Sequence, residues 1–376
     1  MSLIRKFQFN KNPTISGYYT IRASNRLSAI WEYLGRYKSI SYSKKIIGNQ
    51  VINNKNLVTI KSEQLSYTIS QSEEYFASAR KSNISIKPLL IYYGIVGLSK
   101  SLIISGDNKF LLNTTKLDTV EHGSHGLSCK AKMDQKSDIK TRDSLCLVKE
   151  FCRIKSKGLY PLFRSCYCIK PIPNDTRITI LDIISLIGEN WKKYYDFFQK
   201  PPNVYKCWEP KNGDVDKIGD NKQIIGGFDD YFHLFHRKNT KEKFADALIR
   251  LFPELKTGYL KSNNFGYKSI NNISSLDSSI VFSDTPTLDS FALVQPFSNF
   301  KLTDFDIYFI LFFILSNLCR YRQDKWYKLT HKSDKKDEFF LIENLFDIVQ
   351  YKFPLLILRE LEQKDYRFIG EVATLG

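Results

Sequence analysis

Acidic residues are nearly missing from the first sixty positions, where Glu32 stands alone against ten lysines and arginines. A second stretch, 127–170, carries four acids against eleven bases. The two segments supply +9 and +7 of the chain's net +17, which leaves the other 272 residues almost neutral. A surplus placed so unevenly excludes a uniformly basic coat and implies one or two basic faces suited to a polyanion.

Other shortages narrow the chemistry. Gly226-Gly227 and Gly94-x-x-Gly97 are isolated, with neither a Walker lysine nor a three-glycine fingerprint, so phosphate-cradling loops are excluded. No Gly-x-Ser-x-Gly nucleophile elbow is present. The Arg-to-His spacing of helical ribonucleases is missing too: Arg322 and His331 lie nine residues apart, and Arg237 follows His236. The most hydrophobic segment, 305–319, is about fifteen residues, short of the roughly twenty that span a bilayer, and is predicted to be a core helix. Residues 1–20 mix Arg5, Lys6 and Lys11 with short apolar runs, and the seven cysteines are odd in number and irregularly spaced. Both features predict a reducing, cytoplasmic setting without a signal peptide or membrane association. Only two methionines occur beside 22 tyrosines and 27 phenylalanines, a composition that an AT-biased coding sequence also produces. There is no internal repeat.

What is present reads as an α+β protein, predominantly helical. Residues 1–60 form a basic opening segment with a short amphipathic helix over 24–37 carrying Ile30, Trp31 and Leu34. An N-terminal helical hairpin is predicted over 61–108. In its first arm, 63–81, Leu65, Ile69, Ser72, Phe76 and Ala79 fall at three- and four-residue spacings, and Pro88 suits the first turn of the second arm. That arm is apolar nearly all round, with Gly94, Gly97 and Ser99 permitting a close neighbour. A central small β-containing module spans 109–240, with β-like runs at 110–112, 144–151 and 159–169, a helix over 178–198 with Asp182 in its first turn, and a weaker β region over 204–234. The C-terminal helical module, 241–376, contains a helix over 241–252, a Ser- and Asn-rich loop near 261–290, the core helix opened by Thr303 and Asp306 in the manner of a capping box, and a last helix over 342–361 interrupted at Pro354.

Three constellations are candidates for chemistry. His122-Gly123-Ser124-His125-Gly126, with Cys129 close behind, joins two imidazoles in a glycine-permissive loop that could ligate a metal or bind an anion. Cys166 and Cys168 would complete a metal site if folding brought them near. No standard zinc spacing matches, and a structural turn whose histidines bond to backbone is the competing reading, so no metal or cofactor is predicted. Arg320-Tyr321-Arg322, with Lys325 and Trp326, follows the core helix; these arginines either cap it or hold a phosphate beside an aromatic ring. The two basic clusters carry the most weight. Arg22, Arg26, Arg36, Lys38, Lys44 and Lys45 are interleaved with Tyr18, Tyr19, Trp31, Tyr33, Tyr37 and Tyr42. Lys130, Lys132, Arg142, Arg153, Lys155 and Lys157 belong to the second cluster. Cations attract the phosphate backbone while aromatic rings stack on unpaired bases, so nucleic acid, RNA or DNA, is the expected partner.

Several segments occur in a familiar order. The run 86–94 through Leu98-Ser99-Lys100, then His125-Gly126-Leu127, Gly158-Leu159-Tyr160, 181–195, Arg320-Tyr321, Asp324-Lys325-Trp326 and 353–358 resemble the YaaC-like family of bacterial proteins. The likeness covers roughly 60–360 as scattered blocks, with the opening sixty residues outside it. Gln323 stands where members often have proline. The resemblance implies a shared bacterial cytosolic fold and transfers no catalytic residue. The expected function is a cytosolic nucleic-acid-binding or nucleoprotein-associated accessory subunit, in an antiviral defence or nucleic-acid processing system. The alternatives are a nuclease or other phosphoester hydrolase using His122 and His125, and an adaptor for an acidic protein partner in a multi-subunit complex.

Overall fold

A computed structural model of the chain describes residues 19–48, 55–106, 125–129, 147–168, 171–200, 202–208, 224–226, 255–261, 264–269, 280–281, 290–294, 300, 302–331, 336–362, 364 and 366–369. These divide into two compact units, one from 18–183 with 305–376 and the other from 184–304. The fold is predominantly helical α+β.

The first unit opens with β1 (Tyr19–Arg22), then α1 (Arg26–Gly35) and α2 (Ile40–Gly48). Asn25 starts α1 because its side-chain oxygen accepts from the Ser28 backbone amide at 3.0 Å, satisfying an amide the helix cannot. The long pair α3 (Lys55–Lys81) and α4 (Lys87–Ser105) packs face to face as the predicted hairpin. Leu65, Ile69, Ser72, Phe76 and Ala79 all lie on the buried stripe of α3. In α4 the approach is closest at Gly94 and Gly97, where an added Cβ would stand 2.7 Å from the Phe76 ring and 2.2 Å from Ser72 Oγ. By length and mean hydropathy α4 is able to cross a membrane, and 78% of that span is buried inside this fold.

A small antiparallel sheet follows, in the order β2 (Leu127–Ser128), β3 (Phe151–Ile154), β4 (Arg177–Thr179). Between β3 and β4 runs α5 (Leu159–Tyr167). This segment was expected as a strand. Its buried residues, Leu159, Tyr160, Phe163, Arg164, Cys166 and Tyr167, follow a helical period, and the hydrophobic density had hidden that period. The single helix expected over 178–198 is likewise divided. It begins as β4, continues as α6 (Ile180–Ile184), and resumes beyond a 3-10 turn at Gly188–Asn190 as α7 (Trp191–Phe198). Asp182 does sit in the first turn of α6, accepting from the Thr179 amide at 2.8 Å while Thr179 Oγ1 accepts from its own at 3.1 Å, a reciprocal cap.

Within the second unit, β5 (Val204–Trp208), β6 (Ile224–Gly226), β7 (Leu255–Lys261), β8 (Asn264–Ser269), β9 (Ile280–Val281) and β10 (Ser290–Val294) form one antiparallel sheet in the order β7-β8-β6-β5-β10-β9. The stretch 261–290, expected as a loop, therefore contains β8 and β9. Its polar composition does not prevent pairing, because ladder hydrogen bonds are made by backbone groups. The expected helix over 241–252 lies outside the described residues.

The chain then returns to the first unit with α8 (Asp304–Tyr321), α9 (Gln323–His331), α10 (Lys336–Glu343), α11 (Leu345–Glu362) and β11 (Tyr366–Ile369). From Phe305 to Leu315 every side chain of α8 is buried, as predicted for the core helix. Full burial of a Leu, Ile or Phe is worth roughly 1.5–3 kcal/mol, so this run is a main source of cohesion. Pro354 does not interrupt α11, which continues to Glu362 with Phe353, Pro354 and Leu355 all buried. Packing against α4 and α1 offsets the lost amide bond. β11 pairs in parallel with β1, from Tyr19 beside Tyr366 to Arg22 beside Ile369.

Candidate nucleic-acid interface

Asp306 anchors the interior of the first unit. It is fully buried, accepts from Tyr160 Oη and Tyr167 Oη at 2.7 Å each, and forms an ion pair with the buried Arg164 guanidinium. Burial works against the charge of Arg164, and Asp306 with the two tyrosines more than restores it. Both phenols are pushed well above their ordinary range, first by burial and then by the Asp306 charge. Asp306, expected only as a capping partner, thus joins α5 to α8.

His125 stands one layer outward. Its Nδ1 lies 3.0 Å from Tyr92 Oη of α4, its ring rests against Phe313 of α8 at 5.9 Å between centroids, and its carbonyl accepts from the Tyr160 amide at 3.0 Å. The next residue, Gly126, has φ +75, and a Cβ there would lie 2.3 Å from Pro161 Cδ. The backbone needs glycine at that point. His122 lies outside the described residues, so the structure assigns a place to His125 alone of the two. Cys129 directly follows β2. Its thiol is pushed up to about 12, by burial first and then by Glu150, with Arg322 and Arg320 opposing. Among the described residues no three His, Cys, Asp or Glu side chains gather as metal ligands. Cys166 is buried and bonds the Leu162 carbonyl, and Cys168 accepts from Arg164.

Arg320 and Arg322 occupy the corner where α8 meets α9. Arg320 Nε donates to the Ser316 carbonyl at 3.3 Å and its guanidinium lies 4.9 Å from the Tyr321 ring centre. Arg322 pairs with Glu150. Tyr321 is 72% exposed and Tyr327 59%, and the Tyr327 ring stacks on His331 at 4.3 Å and 11°. Lys328 is exposed beside them. Trp326 turns the other way: it is buried, and Nε1 donates to the Ile84 carbonyl at 3.2 Å. The exposed aromatics of this corner are therefore tyrosines.

Several cations of the basic clusters are held by partners within the fold. Arg153 and Lys155 both pair with Asp175, Lys38 pairs with Glu73, and Arg26 lies 5.8 Å over the Tyr351 ring. Arg36 lies over Tyr33 at 4.0 Å. Lys44, Lys45 and Lys157 are exposed. Lys130, Lys132 and Arg142 lie outside the described residues, and of Arg22 only the backbone is described. Of the interleaved aromatics, Trp31 and Tyr37 are core rather than surface.

Several of the segments that carried the family likeness meet in the first unit: Tyr92 against His125, His125 against Tyr160, Trp326 against the turn before α4. A sequence profile described as YaaC-like protein matches residues 35–361. The chain belongs to the YaaC-like family. That match begins earlier than the blocks had indicated, so Arg36, Lys38, Lys44 and Lys45 fall within the family region rather than outside it. No curated protein and no solved structure matches.

Proposed function

We propose that this member of the YaaC-like family is a cytoplasmic accessory protein that binds unpaired nucleic acid across the corner between α8 and α9. The observation carrying the reading is the pair of exposed rings, Tyr321 and Tyr327, set among Arg320, Lys328 and His331. An exposed ring costs solvation unless it has a partner, and base stacking on such rings contributes about 1–3 kcal/mol per base. Cations at its edge attract the strand's phosphates. Arg36, Lys44 and Lys45 are further exposed cations on the amino-terminal helices, whereas Arg153 and Lys155 are held by Asp175 and serve the β3–β4 connection.

Fluorescence anisotropy with labelled single-stranded and duplex RNA and DNA tests this. The double variant Y321A/Y327A should lose roughly ten- to hundred-fold in affinity for single strands, following from the stacking energy of one to two bases. Preserved affinity in a folded double variant, or a preference for duplex that the substitutions do not touch, overturns it.

A further inference from the structure

Trp326 joins two segments that lie 242 residues apart along the chain. Its indole Nε1 donates to the Ile84 carbonyl at 3.2 Å, which fixes the first turn of α9 against the turn between α3 and α4. The indole is buried, and its ring meets Phe339 of α10 at 6.3 Å between centroids. The junction is thus packed as well as hydrogen-bonded.

Both segments that meet here are basic. Residues 80–87 hold Arg80, Lys81 and Lys87 without an acid, and α9 holds Lys325 and Lys328 against Asp324. Arg80, Lys81 and Lys328 are exposed, and Lys87 is partly so. Lys81 and Lys87 each lie three residues from Ile84, which limits their Cα atoms to about 11 Å from its own. Glu73, two turns before Arg80 on the same face of α3, is held by Lys38. Helix stability accounts for Arg80 and Lys81, which lie in the last turn of α3 and favour its dipole. It does not account for Lys87, which opens α4 at the end where the dipole disfavours a cation, in a first turn that holds no acid. Apolar side chains on either side of the hydrogen bond also face water. Ile86, two residues past Ile84, is 51% exposed, and Tyr327, next to Trp326, is 59% exposed. Apolar surface edged by cations suits a polymer with flat bases and anionic linkages.

We infer that the α3–α4 turn is the second half of the nucleic-acid surface: a single strand stacked at Tyr321 and Tyr327 continues past Ile86, and Arg80, Lys81 and Lys87 take its phosphates. The inference rests on the stacking proposed for the α8–α9 corner and adds the groups that hold the strand by charge. Cations at this turn bind without regard to sequence, because the phosphates they meet are the same in every strand.

Anisotropy with labelled single-stranded RNA and DNA, repeated over a salt series, tests it. The triple variant R80Q/K81Q/K87Q should lower the slope of log affinity against log salt by about 2, at roughly 0.7 per phosphate, and equally for all sequences. K55Q removes an exposed lysine at the other end of α3, about 39 Å away by helical rise, and should leave the slope unchanged. Y321A/Y327A should weaken binding and keep the slope, since stacking releases no counterions. Each variant is first checked for an unaltered melting transition. Should the triple variant fail to fold, K81Q/K87Q replaces it, with a fall in slope of about 1.4 expected. An unchanged slope in the folded triple variant, with binding still weakened by Y321A/Y327A, overturns the α3–α4 surface and leaves the stacking corner standing. A lowered slope with full binding by Y321A/Y327A supports the turn as a cationic surface and overturns the stacking. An equal fall per charge in K55Q marks a diffuse attraction and overturns the turn. Failure of the wild-type protein to bind either strand overturns both.

Discussion

Asp306 shows how much one side chain can decide. Its carboxylate is the common acceptor for Tyr160, Tyr167 and Arg164, so its removal strands two phenols and a guanidinium in the interior. We expect D306A to cost about 3–5 kcal/mol, the range for breaking a buried pair from one side, read as a shift of the urea midpoint at unchanged slope. A loss below about 1 kcal/mol, the scale of an exposed pair, would show that water reaches the site. Cysteines give a second expectation. The thiols of Cys129 and Cys166 are pushed up to about 12 and that of Cys319 to about 11, from an ordinary 9.0, all primarily by burial. The folded state therefore holds these protons more tightly than the unfolded chain. Their contribution is fully present below pH 9 and is lost as pH rises through 9 to 12. Unfolding free energy measured between pH 7.5 and 11 should fall along that limb, and less steeply in C166A; a flat profile to pH 11 would contradict the burial of these groups.

Among elements, the α3–α4 hairpin was legible because both arms obey simple rules. The stripe from Leu65 to Ala79 follows the helical period, and Pro88 enters where a missing amide hydrogen does no harm. The glycines of α4 mark the contact. G94A puts a methyl group 2.7 Å from the buried Phe76 ring, and we expect a loss of about 1–3 kcal/mol, typical of overpacking. Much of that loss should be relieved in an F76A background, and equal losses in both backgrounds would place the strain elsewhere. Helix α5 was not legible. Its run of leucine, tyrosine, phenylalanine and cysteine satisfies strand and helix preferences alike, and only packing beneath α8, with Arg164 turned inward to Asp306, separates them. Strands β8 and β9 escaped for the opposite reason, since a Ser- and Asn-rich segment gives no periodic signal even when its backbone pairs, whereas β5 and β6 fall inside the β region expected over 204–234.

At the scale of the molecule, the net charge of +17 makes polyanion affinity a question of salt. For single strands the logarithm of affinity should fall with the logarithm of salt concentration by about 0.7 per neutralised phosphate. Neutralising Lys44 and Lys45 together should then reduce the slope by roughly 1.4 if both meet the strand. An unchanged slope would confine the interface to the α8–α9 corner. Charge, the reach of the core helix and the family likeness were properties of the sequence alone, because composition, period and order survive without coordinates. The tertiary structure decided which cations are free to act. Asp175 lies 22 residues from Arg153 along the chain and pairs with it in space, while Arg320 meets no carboxylate among the described residues. Such pairings depend on distances between side chains that are remote along the chain, and only folding fixes those distances.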